Sequence, residues 1–273
     1  MDLTFIGSML ALGAGVGFMA GLLGIGGGMI LVPFMAWLFP LHGVPQEWSV
    51  HAAIATSMTT IVFTSISSVR AHQAKRAILW PIVAVMAPGI VVGGLLSGGA
   101  AFSYLSGFGL SLFFAFFVGY SAVRMLQNRP AAPGRTMPGK PLTFTAGVGI
   151  GFISGLVGAG GGFLSVPFMT QGNVPVRNAV ATSAALGFFI AVANSVGYVY
   201  SGFRAVQDQS GMLGYIFLPA LVLVSAMSVL TAPLGARYAH RLPVAALRRV
   251  FALMLFGIAI YMTHKAWLQY QAL

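Results

Sequence analysis

Two stretches of this chain nearly repeat each other: GLLGIGGGMILVPFM, Gly21 to Met35, and GLVGAGGGFLSVPFM, Gly155 to Met169. Aligning Gly13–Met35 with Gly147–Met169, an offset of 134, makes 14 of 23 positions identical. A second block follows in the same order at an offset of 126, with Ala53–Ser57 on Ala179–Ser183. The change of offset means eight extra residues in the first half, around FPLHGVPQEW. Two blocks in order mark an internal duplication. The fold must therefore be two copies of one unit packed together.

Both copies lie in apolar surroundings. The 273 residues are 58% hydrophobic and 6% charged, with a mean hydropathy of +0.91. A soluble domain carries about 25% charged residues, so this chain could not cover a globular surface with polar groups. The composition predicts an all-α polytopic membrane protein with the lipid bilayer as its surroundings. Apolar segments run over 3–23, 29–39, 50–69, 78–97 and 105–126, then 142–157, 163–172, 178–200, 212–233 and 244–264. Between them lies the polar, Pro-rich QNRPAAPGRTMPGKP. The organisation is a first repeat at 1–127, a cytoplasmic linker at 128–141 and a second repeat at 142–273. The first apolar run has no basic lead, only Asp2, and its counterpart recurs in mid-chain, so it reads as a span and not as a cleavable signal. The net charge of +11 reflects basic cytoplasmic loops; no nucleic acid is implied. Cysteine is absent, which removes disulfides and thiolate metal sites.

Loop charge orients the repeats. If each Gly-rich hairpin crosses an even number of times, three more helices give each half an odd number of crossings, and the repeats are inverted. One face then holds 12 of the basic residues, Arg70, Lys75, Arg76, Arg124, Arg129, Arg135, Lys140, Arg177, Arg237, Arg241, Arg248 and Arg249. The other holds 2, Arg204 and Lys265. If each Gly-rich element crosses once, the split is 9 against 5. The positive-inside rule selects the inverted arrangement, with both termini outside. Segments 29–39 and 163–172 are shorter than the ~20 residues of a full span, so the hairpins are expected to be re-entrant. Inverted repeats are a common transporter architecture.

The glycines divide into two kinds. Gly13, Gly17 and Gly21, like Gly147, Gly151 and Gly155, recur every four residues and put a small face toward a neighbouring helix. The tips GIGGG and GAGGG are different, because consecutive glycines cost a helix roughly 1 kcal/mol each. Irregular backbone at membrane depth survives only where it is buried in protein or lines a wet cavity. The tips read either as tight turns or as broken helices whose N–H groups face an anion. On the second reading Gly24, Gly26, Gly27 and Gly28 face Gly158, Gly160, Gly161 and Gly162 across one site. Pro33 and Pro167 fall inside the short helices and each removes a hydrogen bond. Gly15–Ala20 fits a loose dinucleotide-loop pattern but lacks the preceding strand.

Thr56-Ser57 and Thr182-Ser183 occupy equivalent places in the two halves. Their hydroxyls can bond their own i−4 carbonyls or donate to an oxyanion. Asn194, in an apolar run, is either interhelical glue or a ligand. His51 and Arg177-Asn178 stand at corresponding positions and are either cavity-mouth residues or solvated helix ends. No carboxylate lies deep in a segment, which argues against a cation site and a carboxylate proton relay. Protons, carried by His51, His72 or the substrate itself, are the candidate coupling ion. No metal-ligand cluster, cofactor motif or catalytic pair is visible, so no enzyme is expected.

The doubled G-x-G-G-G…V-P, each followed by A-x-A-T-S, resembles the sulfite exporter TauE/SafE family of membrane permeases. The resemblance covers nearly the whole chain and both repeats. It implies a transporter of sulfite, sulfoacetate or related organosulfonates in the bacterial inner membrane, working in export. An anion channel and an uptake permease are the alternatives, and a homodimer is a candidate assembly. The family motif falls on Gly24, Gly26–Gly28 and Pro33, on Gly158, Gly160–Gly162 and Pro167, and on Thr56, Ser57, Thr182 and Ser183.

Overall fold

The computed structural model describes residues 3–23, 27–127, 136–203, 205–206, 209–238 and 244–271. Gly24 and Gly26, most of the linker, Arg129, Arg135, Arg204 and Arg241 lie outside the described residues. Among the described residues, ten helices of ten residues or more carry the fold: α1 Leu3–Leu23, α2 Gly28–Leu38, α3 Ser49–Ala74, α4 Trp80–Leu96, α5 Gly107–Gln127, α6 Lys140–Val157, α7 Gly162–Gln171, α8 Val176–Gly202, α9 Leu218–Tyr238 and α10 Val244–Gln271. Among the described residues, seven of them (α1, α3, α4, α5, α6, α8 and α9) are long and apolar enough to cross a membrane. Helix is what lipid requires, since every backbone polar group must find its partner within the segment.

Local chemistry sets the ends. Pro81, Pro141 and Pro219 each stand second in their helix, where a missing N–H costs nothing. The α1–α2 and α6–α7 breaks turn on glycines in the left-handed region, with Gly27 at φ 69° and Gly161 at 72° starting the short helices and Gly158 at 67° ending α6. That conformation suits glycine and strains other residues. One apolar stretch departs from the helical expectation. Residues 212–217 form a two-stranded hairpin pairing Met212 with Phe217, because Gly211 and Gly214 turn the chain before α9 can begin. Beyond Leu96, α4 widens into a π turn over Ser97–Ala101 and then ends at Tyr104.

The surface is greasy and the interior holds the polar groups. Phe116, Val222, Leu253 and Ile260 are exposed, whereas Ser49, His51, Thr56, Ser57, Thr182, Ser183 and Asn194 are buried. A water-soluble fold would invert this.

The halves make the same contacts twice with their roles exchanged. Helix α1 lies along α9 and α6 along α4, while α3 packs on α8 and α5 on α10. The detail is residue by residue. A Cβ on Gly13 would come within 2.7 Å of the Val224 carbonyl oxygen, and one on Gly147 within 2.5 Å of the Met86 carbonyl oxygen. Gly13 and Gly147 are the 134-offset pair, and Met86 and Val224 match under an offset of 138 that also places Trp80-Pro81 on Leu218-Pro219. Each hairpin returns to where it began. The Phe5 and His42 rings lie 4.6 Å apart, and Gly172 packs against Met137.

Candidate functional site

The hairpin tips meet at the centre of the bundle. Gly28 lies directly against the Gly158 carbonyl, with no room for a side chain between them. Ser57, roughly two turns into α3, sets its hydroxyl 3.3 Å from both the Gly28 and Gly158 carbonyl oxygens. Its single hydrogen therefore ties the two tips. The threonines beside the serines brace the opposite halves. Thr56 Oγ1 accepts the Phe217 N–H at 2.9 Å, and Thr182 Oγ1 accepts the Leu79 N–H at 3.0 Å. These are the same bond made twice: each hydroxyl accepts from the residue just before the helix that the other half contributes, α9 or α4.

A small cleft lies beside the tip contact. Its volume is about 30 Å³, and it is lined by Ala20 and Gly21 of α1, Ile61, Thr64, Ser65 and Ser68 of α3, Gly160 of the second tip, Ser183, Ala184 and Gly187 of α8, and Ala232 of α9. Ser165 donates to Ser183 Oγ at 2.8 Å, which leaves the Ser183 proton available to a ligand. Thr64 rests on the Thr60 and Ile61 carbonyls at 3.3 Å, and Ser65 on the Val62 carbonyl at 2.9 Å. Such back-bonds are easily exchanged for a better acceptor. No acidic residue lines the cleft. It sits toward the C-terminal end of α3, where Arg70, His72, Lys75 and Arg76 follow.

Of the residues singled out in the sequence, Gly160 and Ser183 line the cleft, while Gly27, Gly28, Gly158, Gly161, Gly162 and Ser57 are buried at or next to the tip contact. Asn194 is fully buried, its Nδ2 donating to the Ile190 carbonyl at 2.9 Å. His51 is in an aromatic cluster, stacked on Tyr215 at 5.1 Å and edge-on to Trp48 and Phe102, with Nε2 2.9 Å from the Leu105 carbonyl. It is a packed residue near one end of α3; His72 is in the last turn at the other end. Arg177 is exposed at the start of α8, and Asn178 donates to the Ala77 carbonyl at 2.9 Å. Pro33 is buried within α2 and Pro167 exposed on α7.

Sequence reasoning missed Thr64, Ser65 and Ser68. The signal was present: Ser57, Thr64 and Ser68 recur at helical spacing in TSMTTIVFTSISS. It also missed Lys265. Read as a loop-side charge, Lys265 is instead buried and donates to the Ala36 carbonyl at the end of α2.

A bundle of apolar helices, seven of them among the described residues able to cross a membrane, defines a polytopic membrane protein, and its relatives are named as transporters. A "Probable membrane transporter protein" of Haemophilus influenzae is 35% identical over 96% of this chain and 99% of its own length. Another from Methanocaldococcus jannaschii is 26% identical over 93% of this chain and 94% of its own. A third, from Bacillus subtilis, is 29% identical over 71% of this chain and 78% of its own. The Sulfite exporter TauE/SafE family profile matches residues 9–262, and the chain belongs to that family. No solved structure matches it.

Proposed function

We propose that the protein is a secondary transporter that moves a small sulfur-containing oxyanion (sulfite, sulfoacetate or a related organosulfonate) out across the cytoplasmic membrane by alternating access. The cleft carries the reading. Thr64, Ser65, Ser68 and Ser183 offer neutral donors beside the Gly160 backbone, with no carboxylate to repel an anion. Neutral donors bind an oxyanion without the deep trap that a fixed ammonium or guanidinium would set, so release stays fast. The basic end of α3 draws anions toward the cleft.

The hairpins that return to their own starting side support an odd number of crossings per half, and hence inverted repeats with both termini outside. The positive-inside rule then turns the cleft toward the cytoplasm. Protons are the candidate coupling ion, carried by the substrate.

The test is flux in proteoliposomes. Labelled sulfite or sulfoacetate should move with the purified protein and not with empty vesicles. Ser183→Ala and Ser68→Ala should each lower the rate tenfold or more, while Ser8→Ala, on the exposed start of α1, should not. Wild-type rates in both cleft variants would overturn the site. Large single-channel currents would convert the reading to an anion channel.

A further inference from the structure

The halves repeat their contacts, so the cleft has a counterpart. The offset of 134 carries Ala20 and Gly21 onto Ser154 and Gly155. The offset of 126 carries Thr64, Ser65 and Ser68 onto Ile190, Ala191 and Asn194, and that of 138 carries Ala232 back onto Gly94. These counterparts are packed shut. Gly155 lies against Asn194 Oδ1 and Ser97 Oγ, both of which a Cβ would overlap. A Cβ on Gly94 would come within 2.9 Å of Asn194 Nδ2, and one on Gly98 within 2.7 Å of the Asn194 carbonyl oxygen.

The shut region is not apolar. Ser97 Oγ, Ser154 Oγ and Asn194 Oδ1 are buried there without hydrogen-bond partners. The amide cannot be relieved by turning it over. Nδ2 already donates to the Ile190 carbonyl at 2.9 Å and the Gly151 carbonyl at 3.4 Å, so Oδ1 is held toward Gly155 and Ser97. Buried polar atoms are costly when left unpaired. Alanine in place of Ser97 and Ser154 would pack there without that cost. Ser97 also opens the π turn of Ser97–Ala101, a type of irregularity frequent at functional sites. Beyond this triad the passage is closed by Tyr198, which donates to the Gly155 carbonyl, and by the Phe102, His51, Tyr215 and Trp48 rings.

We infer that Ser97, Ser154 and Asn194 line a second pocket for the same small oxyanion, shut here, which opens on the membrane face opposite the cleft when the cleft closes. The inference rests on the transporter reading above. In the opened pocket the two serine hydroxyls donate to the anion and Asn194 Oδ1 accepts from a protonated oxygen or a water travelling with it. The structure is then the state in which the pocket on the side of Tyr198 is shut.

The chain has no cysteine, so single thiols report accessibility on a silent background. Ser68→Cys and Ser97→Cys are reconstituted separately, treated with a membrane-impermeant maleimide from either face, and assayed for sulfoacetate flux in parallel. Ser68→Cys should react from one face and Ser97→Cys from the other. Adding Gly155→Ala, whose methyl wedges the shut pocket apart, should raise Ser97→Cys labelling severalfold and lower that of Ser68→Cys by a similar factor. Labelling of both thiols from the same face, or no labelling of Ser97→Cys in vesicles that transport sulfoacetate, overturns the inference. Ser154→Cys gives the same readout if Ser97→Cys does not fold. Opposite-face labelling without flux of any sulfur oxyanion upholds the second pocket and removes the substrate assignment instead.

Discussion

Pro40 has no N–H, and four residues before it stands Ala36, whose carbonyl would ordinarily receive that hydrogen. The ammonium of Lys265 fills the vacancy from α10. A buried cation in an apolar bundle is costly, and the C-terminal end of a short helix is a favourable place to hold one. Lys265→Met should therefore cost about 1–3 kcal/mol by leaving the carbonyl unpaired. Pro40→Ala restores a backbone donor, so in the double variant much of that loss should return, as read by thermal unfolding in detergent. A double variant no more stable than Lys265→Met would remove this explanation. The paired threonines make a second prediction at this scale. Thr56→Val and Thr182→Val each strand a backbone N–H, of Phe217 or Leu79, and should each destabilise by about 1–3 kcal/mol. Thr→Ser at either position keeps the oxygen and should cost far less.

At the scale of elements, one amino acid does opposite things on neighbouring helices. Gly28 has the Gly158 carbonyl where a Cβ would go, whereas Gly15 has nothing within 4 Å. Gly28→Ala must push the tips apart and should destabilise by about 3 kcal/mol. Gly15→Ala, in the exposed middle of α1, should instead stabilise by about 0.5–1 kcal/mol. Melting temperatures that move in the same direction for the two variants would contradict the packing. The contrast also shows how far the sequence could be read. The ten helices were legible from apolar runs and their breakers, and α1 spans the residues expected of it. Glycines at equivalent places in two repeats mark the tips, expected from the sequence to face each other across one anion site; Gly28 instead lies directly against the Gly158 carbonyl. The cleft was not legible in full. Thr64, Ser65 and Ser68 look like ordinary back-bonded helix hydroxyls until the face they share is seen to meet Gly160 and Ser183. Lys265 was hidden because its partner's need arises at Pro40, in the other half of the chain. Residues 212–217 are as apolar as a helix, and only the glycines at 211 and 214 mark the turn.

For the whole molecule, the question is which way the second half faces. Exchanged contacts such as α1 on α9 and α6 on α4 follow from any two-fold relation between the halves. The number of crossings decides between an axis in the membrane plane and one along its normal. With hairpins that return, Lys75 and Arg177 share one face and Ser210 lies on the other. With hairpins that cross once, Lys75 and Ser210 share a face and Arg177 changes sides. All three residues are exposed, so single-cysteine variants at each can be labelled in sealed vesicles with an impermeant reagent. The excess of Lys and Arg on one side fixes the expected absolute result. Lys75→Cys and Arg177→Cys should react only from the cytoplasmic face, and Ser210→Cys only from outside. Reaction of Lys75→Cys and Ser210→Cys from one face, with Arg177→Cys from the other, would make the halves parallel. The pocket at Ser97, Ser154 and Asn194 could not then open opposite the cleft, because a two-fold axis along the membrane normal carries every pocket to a mate on the same side.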